Sequence, residues 1–174
     1  STALTDTGVT AAGAGSSTLD NFNRADGDAG ANWVDWTSFT QLTITGNAAG
    51  YGYGSWITAP ADNQESFVTL TGTPAVYDDE LDGLGDWFNL YVRLANEGQG
   101  TTDGYAFYYY AGDFIYPVVC QLLRYDNGVG TQLGAALSVT PVALDQWKLD
   151  MVGSTLTVYQ KPNGGSYTQR GQRT

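Results

Sequence analysis

Strict alternation of apolar and polar side chains over residues 87–95 is the feature that most constrains the fold. One parity carries the apolar residues Phe88, Leu90, Val92 and Leu94. The other parity carries Trp87, Asn89, Tyr91 and Arg93. Successive side chains of a β-strand point to opposite faces of its sheet, so this pattern predicts a strand with one buried and one outer face.

Similar patterns recur along the chain and are separated by glycine-rich or Asn-Gly turns. The segments are Gln41–Thr45, Ser66–Leu70, Tyr105–Tyr110, Val118–Tyr125, Trp147–Val152 and Thr155–Tyr159. No run has the 3.6-residue apolar period of a helix. Many short alternating strands without helices predict an all-β fold, with two antiparallel sheets packed face to face. A chain of 174 residues suits one such domain.

Charge and composition exclude several functions. The formal net charge is −11, which disfavours binding to nucleic acids and to anionic membranes. The chain has no histidine, so Ser-His-Asp catalysis and His-ligated metal sites are excluded. No apolar run is long enough to span a bilayer, so no membrane insertion is expected. The single cysteine, Cys120, lies in an apolar segment and is expected to be buried.

The chain divides into an arm and a sandwich. Residues 1–18 are mostly Ser, Thr, Ala and Gly, a composition typical of a flexible arm or linker. Strand patterns begin at Leu19, so residues 19–174 are assigned to the β-sandwich.

Three segments resemble LamG-like, concanavalin A-like jelly-roll modules. They are Asp20–Trp33, with its D-N-F-N-R-A-D-G motif, Gly85–Leu94, and the hairpin Trp147–Tyr159 with its W-x-L-x-x-x-G-x-x-L-x-V-Y pattern. Such modules occur in secreted bacterial proteins and in phage tail and capsid-surface proteins. The resemblance implies a two-sheet antiparallel jelly roll in an extracellular setting, on a virion surface or secreted. Further strands usually follow this hairpin in the family, so a closing strand is expected to be missing here or supplied by a partner chain.

The jelly-roll superfamily includes β-glucanases, which carry E-x-D-x-E on one strand. The nearest match in this chain is Glu80-Leu81-Asp82-Gly83-Leu84, where Leu84 replaces the third carboxylate. The segment also lies among glycines, which suits a loop better than a strand. The sequence therefore predicts no enzymatic activity.

The same acidic loop contains the candidate metal ligands Asp78, Glu80, Asp82 and Asp86. Calcium prefers several carboxylate and carbonyl oxygens, so a calcium site at a rim of the sandwich is one interpretation. An exposed acidic loop without a metal is the other. Asp20, Asp26 and Asp28 form a second, weaker candidate.

Aromatic and polar side chains supply the candidate binding surface. Its members are Trp87, Asn89, Tyr91 and Arg93 on the outer parity of their strand, and Tyr51, Tyr53 and Trp56 in a glycine-rich segment. Aromatic rings stack on the C–H faces of sugars while polar groups bind their hydroxyls, but the same residue types are also enriched at protein interfaces. Packing in the core is the third interpretation for each aromatic residue.

These observations favour a non-catalytic module that is a structural or surface component of a virion, as capsid decoration or tail protein, with adhesion to host glycans. The alternative is a secreted or cell-surface carbohydrate-binding module, and a glucanase is least favoured. The expected partners are other virion or surface subunits, including copies of this chain, and carbohydrate.

Overall fold

Strands and turns make up the described part of the molecule. The computed structural model describes residues 4–11, 24–31, 33–35, 43–44, 54–56, 63–76, 86–96, 100–113 and 115–174, with the backbone alone for 4–11, 34–35 and 54–56. Within these ranges all regular secondary structure is β-strand. The same ranges contain no helix with the length and apolar character needed to cross a bilayer.

The larger sheet has five antiparallel strands. In spatial order they are β1 (Leu4–Ala11), β6 (Gln64–Leu70), β11 (Gln146–Val152), β12 (Thr155–Lys161) and β13 (Thr168–Arg173). The hairpin β11–β12 turns at Gly153-Ser154, as its sequence predicts.

The smaller sheet has four antiparallel strands. In spatial order they are β10 (Val129–Gln132), β9 (Val119–Asp126), β8 (Asp103–Tyr110) and β7 (Trp87–Ala95). Two short pairs complete the described strands: β2 (Gly27–Asp28) with β4 (Thr43–Ile44), and β3 (Trp33–Asp35) with β5 (Gly54–Trp56).

The two main sheets pack face to face around one apolar core. The core side chains come from β6, β11 and β12 on one side and from β7, β8 and β9 on the other. Their members include Val68, Leu70, Phe88, Leu90, Phe107, Leu122, Trp147, Leu149, Met151 and Val158. The predicted all-β sandwich of antiparallel sheets is confirmed, and Trp147, Leu149 and Met151 of β11 point into this core. Cys120 is also in the core, and its burial raises the pKa of the thiol to about 12.

One predicted core residue is displaced by a bulge near the end of β7. The pairing of β7 with β8 shifts register between Val92 and Ala95, and Arg93 has a φ of 52°. Alternation therefore holds through Val92 and is lost beyond it. Leu94, predicted to be buried like Phe88, is only half-buried.

Two segments that the sequence did not assign to strands lie at the edges of the larger sheet. Within the predicted flexible arm, Leu4–Ala11 forms β1 and pairs with β6, whereas residues 1–3 and 12–18 lie outside the described part. After Tyr167, Thr168–Arg173 forms β13 on β12. Backbone hydrogen bonds hold both strands, and those bonds require no alternation of apolar side chains.

Candidate functional site

The outer face of the smaller sheet carries aromatic and amide side chains in adjacent rows. Residues directly opposite each other on paired strands share a face. Trp87 on β7 therefore lies beside Tyr110 on β8, which lies beside Val119 on β9. The next row contains Asn89, Tyr108 and Gln121. Three strands thus present a continuous surface on which apolar rings alternate with hydrogen-bonding groups.

A shallow, open cleft of about 430 Å³ lies over these rows. Its walls are Trp87, Asn89, Tyr108, Tyr110, Asp113, Tyr116 and Val119. Four of these residues are aromatic, and the volume falls within the roughly 300–1,000 Å³ of ordinary ligand sites. We call this feature the aromatic cleft.

Asp113 fixes the loop that forms one rim of the aromatic cleft. Its Oδ1 accepts hydrogen bonds from the backbone N–H groups of Ile115 and Tyr116 at 2.7 and 2.6 Å. Its Oδ2 accepts a hydrogen bond from the Tyr110 hydroxyl, and this bond together with those from the backbone lowers the pKa of the Asp113 carboxyl. The ionised carboxylate therefore holds the exposed Tyr116 ring at the rim of the cleft.

A relay of hydrogen bonds orients Asn89 at the floor of the cleft. Asn89 Nδ2 donates to the Tyr91 hydroxyl over 3.3 Å. Tyr91 in turn forms a hydrogen bond with Tyr125. Burial raises the pKa of the Tyr125 phenol, and the bond with Tyr91 lowers it by a smaller amount. The two rings lie 6.1 Å apart between centroids. Among the described residues, Asn89 Oδ1 is buried without a hydrogen-bond donor, so the relay leaves this oxygen as an acceptor.

The structure brings together some of the predicted binding residues and separates others. Trp87, Asn89 and Tyr91 share the outer face, as predicted. Arg93 does not join them, because the bulge turns it toward the other sheet: its backbone N–H donates to Gln64 Oε1 and its Nη2 to the Gly153 carbonyl.

The second predicted aromatic group cannot be placed in the cleft. Tyr51 and Tyr53 lie outside the described residues, and only the backbone of Trp56 is described, in β5 opposite Trp33.

The predicted metal ligands are mostly outside the described part of the chain. Asp78, Glu80 and Asp82 fall there, as does Asp20 of the weaker candidate. Asp86 is described, and its Oδ2 accepts a hydrogen bond from the Ala75 backbone N–H at 3.0 Å. Within the described ranges, no group of three or more potential His, Cys, Asp or Glu ligands is close enough to hold a metal ion.

Sequence reasoning missed Asp113, Tyr116 and Val119 of the cleft. They belong to a loop and to the start of β9, where no alternation marks which face a residue will join. The one available signal was the turn at Gly112-Asp113, because an aspartate after glycine often accepts backbone hydrogen bonds two residues further on.

A charged cluster on the outer face of the larger sheet was also missed. Lys148 Nζ lies 2.7 Å from Glu65 Oε2 and 3.0 Å from Asp150 Oδ2. It also lies 4.9 and 5.1 Å from the ring centroids of Tyr159 and Tyr167. Glu65 and Asp150 are opposite each other on β6 and β11. They are 85 residues apart in the sequence, so the sequence alone does not show that they are neighbours.

Burial and neighbouring charges shift the pKa values of Asp150 and Lys148 in this cluster. Burial raises the pKa of Asp150 to about 6, the Lys148 ammonium opposes this rise, and a hydrogen bond and charge from Glu65 add to it. Burial lowers the pKa of Lys148, but its two carboxyl partners outweigh burial and raise it overall. The raised pKa values of Lys148 and Asp150 are compatible, because the single ammonium balances the charge of only one carboxylate. The other carboxyl group therefore retains its proton more readily.

The geometry of this cluster does not suit glycoside hydrolysis. Retaining glycosidases hold their two carboxyls about 5–5.5 Å apart, and inverting enzymes about 6.5–9.5 Å apart. Lys148 Nζ instead contacts both acids, within 3.0 Å of an oxygen of each. The ammonium therefore engages both carboxyl groups of the cluster.

Comparisons with protein families, with curated proteins and with solved structures find no match to this chain. The case for function consequently depends on the two outer faces and their chemistry.

Proposed function

We propose that the protein is a non-catalytic, carbohydrate-binding β-sandwich module of the LamG-like jelly-roll type, displayed on an extracellular or virion surface. The observation that carries this proposal is the aromatic cleft, in which Trp87, Tyr108, Tyr110 and Tyr116 surround Asn89 and Asp113. Calcium, if it assists binding, would be held by the acidic loop predicted from the sequence.

The chemistry of the cleft supports a sugar ligand. Pyranose rings offer apolar C–H faces that pack on aromatic rings, and hydroxyls that bond amides and carboxylates. Rigid rings lose little conformational entropy on binding, because Tyr and Trp have two side-chain torsions each. Backbone pairing of β7, β8 and β9 fixes the spacing of three of the four rings before any ligand arrives.

The proposed role is binding rather than hydrolysis because the cleft contains one carboxylate, Asp113, among its described lining residues. That carboxylate is engaged by the Tyr110 hydroxyl and two backbone N–H groups. General acid–base cleavage of a glycoside requires a second carboxyl facing the first across the bond.

A glycan array with matched tyrosine variants tests the proposal. Tyr116→Ala removes an exposed ring from the cleft, and Tyr167→Ala removes a partly exposed ring from the opposite face of the molecule. We expect the native protein and Tyr167→Ala to bind the same glycans, and Tyr116→Ala to bind them about tenfold more weakly, a loss of roughly 1.4 kcal/mol. Absence of binding by the folded native protein would reject the carbohydrate function.

A second candidate function is a structural subunit of a virion, as capsid decoration or tail protein. The observation that favours it is β1, which joins the edge of β6 through backbone pairing with an irregularity between Thr5 and Gly8. An edge strand of this kind can pair with a neighbouring copy instead of its own chain. Light scattering on the full chain and on a variant lacking residues 1–18 tests this role: a concentration-dependent oligomer that the deletion abolishes supports it, and monomers in both cases contradict it.

A further inference from the structure

We propose that the aromatic cleft selects uncharged glycans and rejects those that carry carboxylate or sulfate groups. This inference rests on the proposed carbohydrate function and adds the chemical class of the ligand. It follows from the Asp113 carboxylate, which is the one charged group among the described residues that line the cleft.

The Asp113 carboxylate is a hydrogen-bond acceptor. The Asp113 carboxylate has about four acceptor positions, and the Tyr110 hydroxyl with the Ile115 and Tyr116 N–H groups occupies three of them. The remaining acceptor position of Asp113 suits a donor, which sugar hydroxyls and acetamido N–H groups provide.

The negative charge of the cleft also disfavours acidic ligands. Asp113 is the one charged residue among the described lining residues, which include neither lysine nor arginine. The whole chain has a net charge of −11. An anionic sugar placed in the cleft would meet the Asp113 carboxylate at short range without a lysine or arginine among the described lining residues to compensate it, and like charges repel.

The test is a quantitative binding assay with paired probes: N-acetyllactosamine against its sialylated and sulfated forms, and neutral against uronate-containing oligosaccharides. We expect each neutral member that binds to exceed its acidic partner by at least about tenfold in affinity at low salt. We expect this ratio to shrink as the ionic strength rises, because salt screens the repulsion from exposed carboxylates.

Two charge-matched variants assign the selectivity to the cleft. Asp113→Asn should reduce the preference for neutral probes, whereas Asp126→Asn, which removes the same charge from the other end of β9, should leave it unchanged. Equal or tighter binding of the acidic probes by the native protein would overturn the selectivity and leave the carbohydrate function standing. Absence of binding to every probe would overturn both.

Discussion

The indole of Trp147 stacks on the ring of Phe107 across the interface between the two sheets. Their ring centroids lie 5.2 Å apart, and the two planes are inclined by 13°. Both side chains have no exposed surface, and each also packs against Phe88. The stack therefore joins β8 of the smaller sheet to β11 of the larger one, and it holds in place the strand whose outer side carries Tyr108 and Tyr110.

Removal of one ring from this stack should be strongly destabilising. We expect Phe107→Ala to lower the free energy of unfolding by about 3–5 kcal/mol, because it loses both buried area and packing on Trp147. Phe67→Ala is the control, since Phe67 is a half-buried phenylalanine on the outer face of β6 and should cost less. Urea denaturation measures both variants, and equal losses would contradict the core assignment.

The pKa of Asp150 predicts how stability depends on pH. Because its value in the folded state is raised to about 6 from 3.8, the folded state holds the proton more tightly than the unfolded state. The tighter proton binding stabilises the folded state fully below about pH 3.8, and this stabilisation is lost as the pH rises through 6. The free energy of unfolding should therefore fall by roughly 1–3 kcal/mol across that window.

Asp150→Asn isolates this effect, because the amide cannot titrate. Urea denaturation between pH 4 and 7 should show that the difference in stability between the native protein and the variant changes by the predicted amount. A constant difference across this range would show that the Asp150 pKa is not raised by folding.

The turn between β9 and β10 should tolerate no side chain at Gly128. Gly128 has a φ of 76°, and a Cβ there would lie 2.5 Å from the Gly100 Cα. Gly164 has a similar φ of 70° but open space around its Cβ position. Both Gly→Ala variants incur the strain of a left-handed backbone, so the difference between them reports the clash. We expect Gly128→Ala to melt several degrees lower than Gly164→Ala, and equal melting temperatures would contradict the close approach.

Cys120 should be inert toward thiol reagents in the native state. It is 3% exposed, its pKa is raised to about 12, and the thiolate is the reactive form. Labelling with a disulfide reagent at pH 8 should therefore be slow in buffer and rapid in denaturant. Fast labelling of the folded protein would show that this part of the core opens readily or is not packed as described.

Alternation was a reliable guide in the strands where burial repeats every second residue. This holds for β6, for β11 and for β7 as far as Val92, whereas β8, β9 and β12 bury adjacent residues. The edge strands β1 and β13 could not be predicted, because the composition of residues 1–18 is typical of a linker and the side chains of β13 are largely exposed.

The candidate site was only partly predictable for a related reason. Trp87, Asn89 and Tyr91 follow from parity within one strand. Arg93 was misplaced because a bulge is not visible in the alternation itself. Asp113 and Tyr116 reach the cleft through a loop. On the larger sheet, Glu65 and Asp150 meet through a register that only the folded sheet defines.

Nuclear magnetic resonance of the indole N–H groups tests whether the aromatic cleft binds sugar. The chain has five tryptophans, so a two-dimensional spectrum of the labelled protein gives five resolvable indole signals, and Trp87→Phe identifies the one from the cleft. On titration with a neutral oligosaccharide that binds, we expect a saturable shift of the Trp87 signal while the signal of the buried Trp147 stays in place. Binding that leaves Trp87 unmoved, or no binding to any neutral glycan at millimolar concentration, would contradict sugar binding by the cleft.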